Sequence, residues 1–230
     1  MSRQDPGLRL QHYQSFLHRD VSNAQFRANN AWGLINTVSK PKRLLDLGCG
    51  SGEFLSLAVE KGVGEAVGVE RPDESVQRAG DVKFPVAKLD VETQTLPFPD
   101  NYFDAVACME VLEHLYDPAK VVRELTRTVA PGGTVLISVP NQYHLATRFR
   151  VLRGHSISDP LTVGGHIKFF RIQDLKLMAS ESCLLIRSIS GLAYPTAYRK
   201  YGFLIQFLLK YQPALFSTWL FLLATKTTDR

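Results

Sequence analysis

The segment "RLLDLGCGSGEFLSLAVEKG", residues 43 to 62, decides the fold. Arg43 to Leu47 is a short apolar run that ends in a cluster of glycines. Beyond it Phe54, Leu55, Ala58 and Val59 recur at helical spacing within Ser51 to Lys61, and Gly62 closes the run. The reading is strand, tight loop, helix. Gly48, Gly50 and Gly52 stand at GxGxG spacing in the loop. Glycine permits positive φ and lets a ligand come close to the backbone. A helix N-terminus adds unpaired amides and the positive end of a dipole. Taken alone, the spacing fits a plain strand–helix turn equally well.

The same alternation continues on the C-terminal side. "EAVGVE" (65–70) reads as a second strand, with a helix from Asp73. "FPVAKLD" (84–90) is a third strand, and the Pro-rich "LPFPDNYFD" leads into a fourth, "FDAVACM" (103–109). Residues 117–130 form a helix with Asp117 as N-cap and Pro118 at its first position, stopped by Pro131-Gly132-Gly133. "TVLISVP" (134–140) is a fifth strand. A late helix (172–183) precedes two further strands, 184–190 and 217–225. Residues 1–40 look like a helical cap, with aromatics at Tyr13, Phe16, Phe26 and Trp32. Residues 141–170 lack clear periodicity and read as a substrate-lid insertion. The expectation is one domain over residues 1–230, a mostly parallel sheet with helices on both faces. Its ligand should lie at the carboxyl ends of the strands, where the strand order reverses.

Composition narrows the class. The chain has 230 residues, 45% hydrophobic and 21% charged, which suits one soluble domain. The net charge of +5 is scattered, with no run of five Lys/Arg, so a nucleic-acid partner is not indicated. Cys49, Cys108 and Cys183 are odd in number and form no CxxC pair, against a disulfide framework or a structural zinc site. A reducing, cytoplasmic setting fits, and the N-terminus lacks the apolar core of a signal peptide. "FLIQFLLKYQPALFSTWLFLLA" (203–224) approaches the length of a membrane span, but Gln206, Lys210, Gln212 and Pro213 interrupt it. It reads as an amphipathic helix, a turn at Pro213 and a buried strand, with peripheral membrane contact left open.

Acidic residues at the strand ends specify the ligand. Asp46 precedes the glycine loop, where a carboxylate repels phosphate and attracts a cation. Glu70 ends the second strand, placed to accept hydrogen bonds from both hydroxyls of a ribose. Asp90 ends the third, placed for an adenine amino group. The expected ligand is an adenosine carrying a positive aliphatic group, and S-adenosylmethionine fits. A nicotinamide dinucleotide is the other choice, but the third glycine of GxGxxG is missing.

"LLDLGCGSG", "VGVE", "LPFPDNYFDAVACMEVLEH" and "RTVAPGGTVLISVPN" resemble the class I S-adenosylmethionine-dependent methyltransferases, in order over residues 40 to 141. The resemblance implies a Rossmann-like α/β sheet of seven strands, order 3-2-1-4-5-7-6, the last antiparallel. It implies that Asp46, Gly48, Cys49, Gly50 and Gly52 line the methionine end of the cofactor. Glu70 and Arg71 would lie at the ribose, Asp90 and Val91 at the adenine, and Met109 and Glu110 beside the sulfonium. Arg27 is a candidate for the cofactor carboxylate without any motif to support it. Cys49 has a plain alternative as a small packed residue, and Asp104 reads as structural.

The block "CMEVLEHLYDPAKVVRELTRTVAPGG" is similar to the ubiquinone-pathway O-methyltransferases. Glu110, Glu113 and His114 also match small-RNA 2′-O-methyltransferases, whose acidic and histidine ligands hold a divalent ion. By that resemblance Glu110, Glu113, His114 and His166 are candidate ligands for Mg²⁺ or Mn²⁺. In related enzymes without metal, His114 would instead face the acceptor as base or hydrogen-bond partner, with Glu113 supporting it. From the E-x-x-E-H spacing alone a structural role also stays open. After residue 141 the chain is closer to methyltransferases of cell-surface glycan or lipid pathways, and Arg148, Arg150, Arg153, Lys168 and Arg171 would favour an anionic acceptor. The expected activity is O-methylation of a small-molecule, glycan or lipid-linked acceptor, with N- or C-methylation as variants. The alternative is a cofactor-binding accessory or regulatory protein whose pocket is plugged by Tyr143, Phe149, Phe169 and Phe170. Oligomeric state is not legible from the sequence.

Overall fold

A computed structural model describes residues 23–71, 84–157 and 166–228. Seven strands form one sheet: β1 (Arg43–Leu47), β2 (Glu65–Glu70), β3 (Val86–Lys88), β4 (Phe103–Met109), β5 (Val129–Pro140), β6 (Leu184–Leu192) and β7 (Trp219–Lys226). Their order is β3-β2-β1-β4-β5-β7-β6. All pairs are parallel up to β5, and β7 runs antiparallel to both β5 and β6. This is the arrangement the resemblance implies.

The strand interiors are apolar on both faces, as a sheet covered on both sides requires. Leu45, Leu47, Val67, Val69, Val106, Cys108, Ile137 and Leu222 face one way. They pack against Val121, Val122 and Leu125 of helix α3 (Pro118–Thr128) and Leu175, Met178 and Ala179 of α5 (Ile172–Glu181). The alternate positions Leu44, Ala66, Ala105, Ala107, Leu136 and Phe221 face the other way. They meet Ala28, Ala31 and Ile35 of α1 (residues 23–35) and Phe54, Leu55, Leu57 and Ala58 of α2 (Glu53–Glu60). The remaining helices are α4 (Leu145–Leu152), α6 (Pro195–Tyr211) and α7 (Pro213–Phe216).

The structure departs from the sequence expectations in physically simple ways. Helix α2 starts two residues late because its N-cap, Gly52, sits at φ 82°. The strand read over 84–90 shortens to Val86–Lys88, since Asp90 and Gln94 close a turn there. Strand β5 starts at Val129, before Pro131-Gly132-Gly133, which the chain accommodates by a register shift against β4. The insertion contains α4, capped by His144, whose ring accepts from the Thr147 amide. Leu112–His114, between β4 and α3, is one turn of 3₁₀ helix. The segment 203–224 resolves into the end of α6, α7 and β7, as its polar interruptions suggest. No helix among the described residues is long and apolar enough to cross a membrane. Tyr13, Phe16 and the helix expected from Asp73 lie outside the described residues.

Candidate functional site

Strands β1 and β4 are neighbours, while the chain leaves them in opposite directions across the sheet. A crevice therefore opens beyond their carboxyl ends. Gly48 forms one wall, and a Cβ there would collide with Cγ2 of Val111 on the other. Gly48 also sits at φ 72°, so both its backbone and its missing side chain are required. Leu47, Val69, Glu70, Arg71, Leu89, Val91, Glu110 and His114 line the same cleft.

Backbone hydrogen bonds shape the glycine loop. The amides of Gly48 and Cys49 donate to the carbonyl of Val69 at 2.8 and 3.2 Å. Gly50 N–H donates to Oε2 of Glu70 at 2.8 Å, and Arg71 N–H donates to Oε1 at 3.0 Å. Glu70 thus braces the loop from the tip of β2 while still bordering the cleft. Cys49 is buried, and its sulfur packs where any side chain at Gly68 would fall. Burial, then the charge of Asp46, pushes its thiol far up, so it stays protonated and serves packing.

Asp46 is the polar anomaly of β1. It is 2% exposed, and its Oδ1 accepts no hydrogen bond among the described residues. Burial, then repulsion from Glu70 and Glu53, holds its carboxyl well above the usual range. A buried carboxylate oxygen without a partner is costly unless a cation or donor arrives from the cleft. That fits the positive end of S-adenosylmethionine. At the opposite end Val91 lines the cleft, whereas Asp90 does not. Oδ1 of Asp90 accepts from the Glu92 amide at 3.0 Å, and the Arg71 guanidinium lies 3.9 Å from it and 3.7 Å from the Glu92 carboxylate.

Met109 is half-buried and packs against the α1–α2 side of the core. Glu110 follows at φ 57°, a left-handed conformation that a non-glycine residue adopts at a cost. Two hydrogen bonds hold it there. Its amide donates to the carbonyl of Ser138, and the Ser138 hydroxyl donates to its Oε1 at 2.9 Å. In the sequence Ser138 stands out as a hydroxyl flanked by apolar residues in "VLISVP", but nothing there names its partner.

The 3₁₀ turn places Glu113 inside and His114 at the cleft. Glu113 is 1% exposed, and neither carboxylate oxygen accepts a hydrogen bond among the described residues. Its Oε1 lies 4.0 Å from Nε2 of His114 and 3.9 Å from Nε2 of His166. The amides of Ile167 and Lys168 both donate to the Glu113 carbonyl, at 2.8 and 3.1 Å, and this clamp delivers His166 to the turn. The two imidazole rings meet edge-on, 4.9 Å between centroids. Nδ1 of His166 lies 3.4 Å from the Gln142 side-chain amide. Burial, then the Glu110 charge, pushes the Glu113 carboxyl well up, and burial, then His114, pushes the His166 imidazole down. Ligand atoms of Glu113, His114 and His166 all fall within 4.8 Å of one another, and Glu110 is not part of that group. A carboxylate oxygen and two imidazole nitrogens are a donor set that could hold a divalent ion.

Other candidates fall away from this point. The Arg27 guanidinium is an exception: it stacks over Trp219 at 5.1 Å, and its charge still reaches Glu113 and partly offsets the upward push on that carboxyl. His155, Arg148, Arg150 and Arg153 are exposed, and Arg171 pairs with Asp174. None of Tyr143, Phe149, Phe169 or Phe170 lines the cleft, and Phe170 belongs to the core. The aromatic plug expected of an accessory protein is not formed by them.

Comparison with known proteins agrees with this geometry. A family profile described as a methyltransferase domain matches residues 15–182. The ubiquinone biosynthesis O-methyltransferase of Alkalilimnicola ehrlichii is 32% identical over 167 residues, 70% of this chain and 67% of that protein. The enzyme of the same name from Pseudomonas aeruginosa is 33% identical over 168 residues, 70% of this chain and 72% of that one. Among solved structures, an S-adenosylmethionine-dependent methyltransferase from Archaeoglobus fulgidus aligns with TM-score 0.64 at 22% identity, over 90% of this chain and 94% of that one. A Thermotoga maritima methyltransferase aligns with TM-score 0.63 at 14% identity, over 95% and 96% of the two chains. The chain belongs to the methyltransferase-domain family and is a class I S-adenosylmethionine-dependent methyltransferase.

Proposed function

We propose that this enzyme methylates a hydroxyl oxygen of a small-molecule acceptor, with a divalent cation held by Glu113, His114 and His166. S-adenosylmethionine supplies a methyl group on a positively charged sulfur that leaves as a neutral thioether. The chain's task is then to align, to dry the site and to manage one proton. Asp46 faces the cofactor's positive end, and the Gly48–Gly52 loop lets its methionine portion approach the backbone. Glu70, with Arg71 beside it, takes the ribose; Val91 flanks the adenine, with Asp90 shaping the turn behind it. Met109 and Glu110 border the reacting centre, and Ser138 keeps the Glu110 carboxylate turned to its place. A divalent cation supplies charge that lowers the pKa of an acceptor hydroxyl. The nearby names support the oxygen acceptor: the relatives at 32% and 33% identity are O-methyltransferases of ubiquinone biosynthesis.

The observation that carries the cation is Glu113, buried with both oxygens unpartnered and two imidazole nitrogens about one ligand span away. A second reading draws on the exposure of the site. His114 borders the cleft, whereas Glu113 and His166 do not, so His114 Nε2 could take the acceptor proton without a metal. Titration with Mn²⁺ followed by electron paramagnetic resonance separates the two. We expect one ion per chain at micromolar concentration, lost in Glu113→Gln and His166→Ala while S-adenosylmethionine binding persists by calorimetry. No ion bound at millimolar Mn²⁺ would sink the cation and leave His114 as base. Methylation of a catechol probe, abolished by EDTA and restored by Mg²⁺, is the matching result in turnover.

A further inference from the structure

We propose that the outer face of α6 docks on an anionic lipid bilayer, and that the enzyme works as a peripheral membrane protein. Beyond a kink at Gly202, helix α6 has two unlike sides. Ile205 and Leu209 point inward and pack with Ala193, Tyr198 and Phe216. Phe203, Phe207 and Tyr211, spaced four residues apart, share the opposite side with Leu204. Phe203 is 80% exposed, Leu204 55%, Phe207 49% and Tyr211 59%. The Phe207 and Tyr211 rings meet at a tilt, 4.7 Å between centroids, and Phe203 lies one helical turn before them. Single exposed apolar residues are ordinary; a ridge of them on one helix is not.

The charge pattern selects the occupant. Lys210 is exposed on the ridge segment, and Arg199 and Lys200 are exposed on the turn of helix just before Gly202, where a non-helical backbone (φ 49°, ψ −124°) kinks α6. The Lys200 ammonium lies over the Tyr201 ring at 5.1 Å and the Lys210 ammonium over Tyr211 at 5.6 Å. From Ser182 to Thr228 the sequence contains no Asp or Glu, and Arg199, Lys200 and Lys210 are the cations carried by α6. A second copy of this chain would bring like charges together on this face with no anion to offset them. An anionic bilayer offers hydrocarbon for the aromatics and phosphates for the cations, the pairing that interfacial helices use. No described helix is built to span, so contact stays at the surface.

The position makes the contact useful. α6 connects β6 to β7, and Leu192 pairs with Trp219, which also pairs with Pro140 at the carboxyl end of β5. The helix thus emerges on the sheet edge where the cofactor crevice opens. α4 leaves the same edge, with Phe149 and Leu152 exposed among Arg148, Arg150 and Arg153. A bilayer against this side would present amphiphilic acceptors to the cleft. The surface proposal does not depend on the cation reading.

Flotation with vesicles tests it. Wild-type protein is expected to float with phosphatidylcholine vesicles containing phosphatidylglycerol at low salt, weakly at high salt, and not with pure phosphatidylcholine. Lys200→Glu/Lys210→Glu should lower partitioning at least about twentyfold, taking about fivefold per cation lost. Phe203→Ser/Phe207→Ser should abolish it. Unchanged circular dichroism and S-adenosylmethionine affinity identify folded variants, since all four positions are exposed and outside the crevice. Wild type remaining in the bottom fraction at low salt overturns the proposal. So does flotation that neither double variant reduces. A dimer in lipid-free solution that Phe203→Ser/Phe207→Ser dissolves, without vesicle binding by wild type, reassigns the ridge to self-association and overturns it too.

Discussion

Asp46 concentrates the residue-scale argument. In the free enzyme its buried carboxyl opposes Glu70 and Glu53 and keeps one oxygen without a partner. Its folded pKa is raised above the ordinary 3.8, so the folded state holds a proton that the unfolded chain releases. The sign follows: its contribution to stability is fully present below the unfolded pKa and is lost as pH rises through the folded pKa. Binding of a cationic cofactor uses the ionised form and should strengthen with pH over the same interval. Asp46→Asn is expected to keep or raise the melting temperature of the free enzyme at neutral pH. It should also weaken S-adenosylmethionine by tenfold or more and flatten the pH dependence of binding, all readable by calorimetry. Glu110 shows the complementary case. Its left-handed backbone, worth roughly 1–2 kcal/mol in strain, is tolerated because Ser138 grips both its amide and its carboxylate.

Among the elements, the crossing of the β1 and β4 termini is the tightest. Gly48→Ala would place a methyl group against Val111 and impose φ 72° on alanine. A loss of about 3 kcal/mol is expected in urea unfolding, summing overpacking and left-handed strain. Adding Val111→Ala should return the overpacking part only, which a double-mutant cycle measures. β1, β2 and β4 begin and end where the sequence places them, because apolar runs bounded by glycine, charge and proline leave little choice. Asp117 caps α3 through the Lys120 amide, as its Asp-Pro start implies. What could not be read is what depends on distant partners. The register shift around Pro131 needs β4 beside it. The delivery of His166 needs the Ile167 and Lys168 amides on the Glu113 carbonyl, a contact across more than fifty residues that no local pattern encodes. A single 3₁₀ turn and an α-helix both bring positions three apart to one side, and only the structure separates them.

At the scale of the molecule, cofactor binding and folding are one equilibrium. S-adenosylmethionine at a hundredfold over its Kd should stabilise the enzyme by about 2.7 kcal/mol. For a chain of this size that raises Tm by roughly 5–10 °C. Thermal unfolding with and without the cofactor checks this, and an unmoved transition would mean that the crevice does not take it.

The reversal of strand order between β1 and β4 also bears on how such an enzyme changes over generations. Candidate groups for the nucleoside descend from β1, β2 and the turn after β3. Candidate groups for the acceptor descend from the turn after β4 and from residue 166. The two sets face each other across one gap but are carried on separate stretches of chain. Substitutions on the acceptor bank leave the donor bank's hydrogen bonds intact, so a lineage can try new substrates without first surrendering its methyl source.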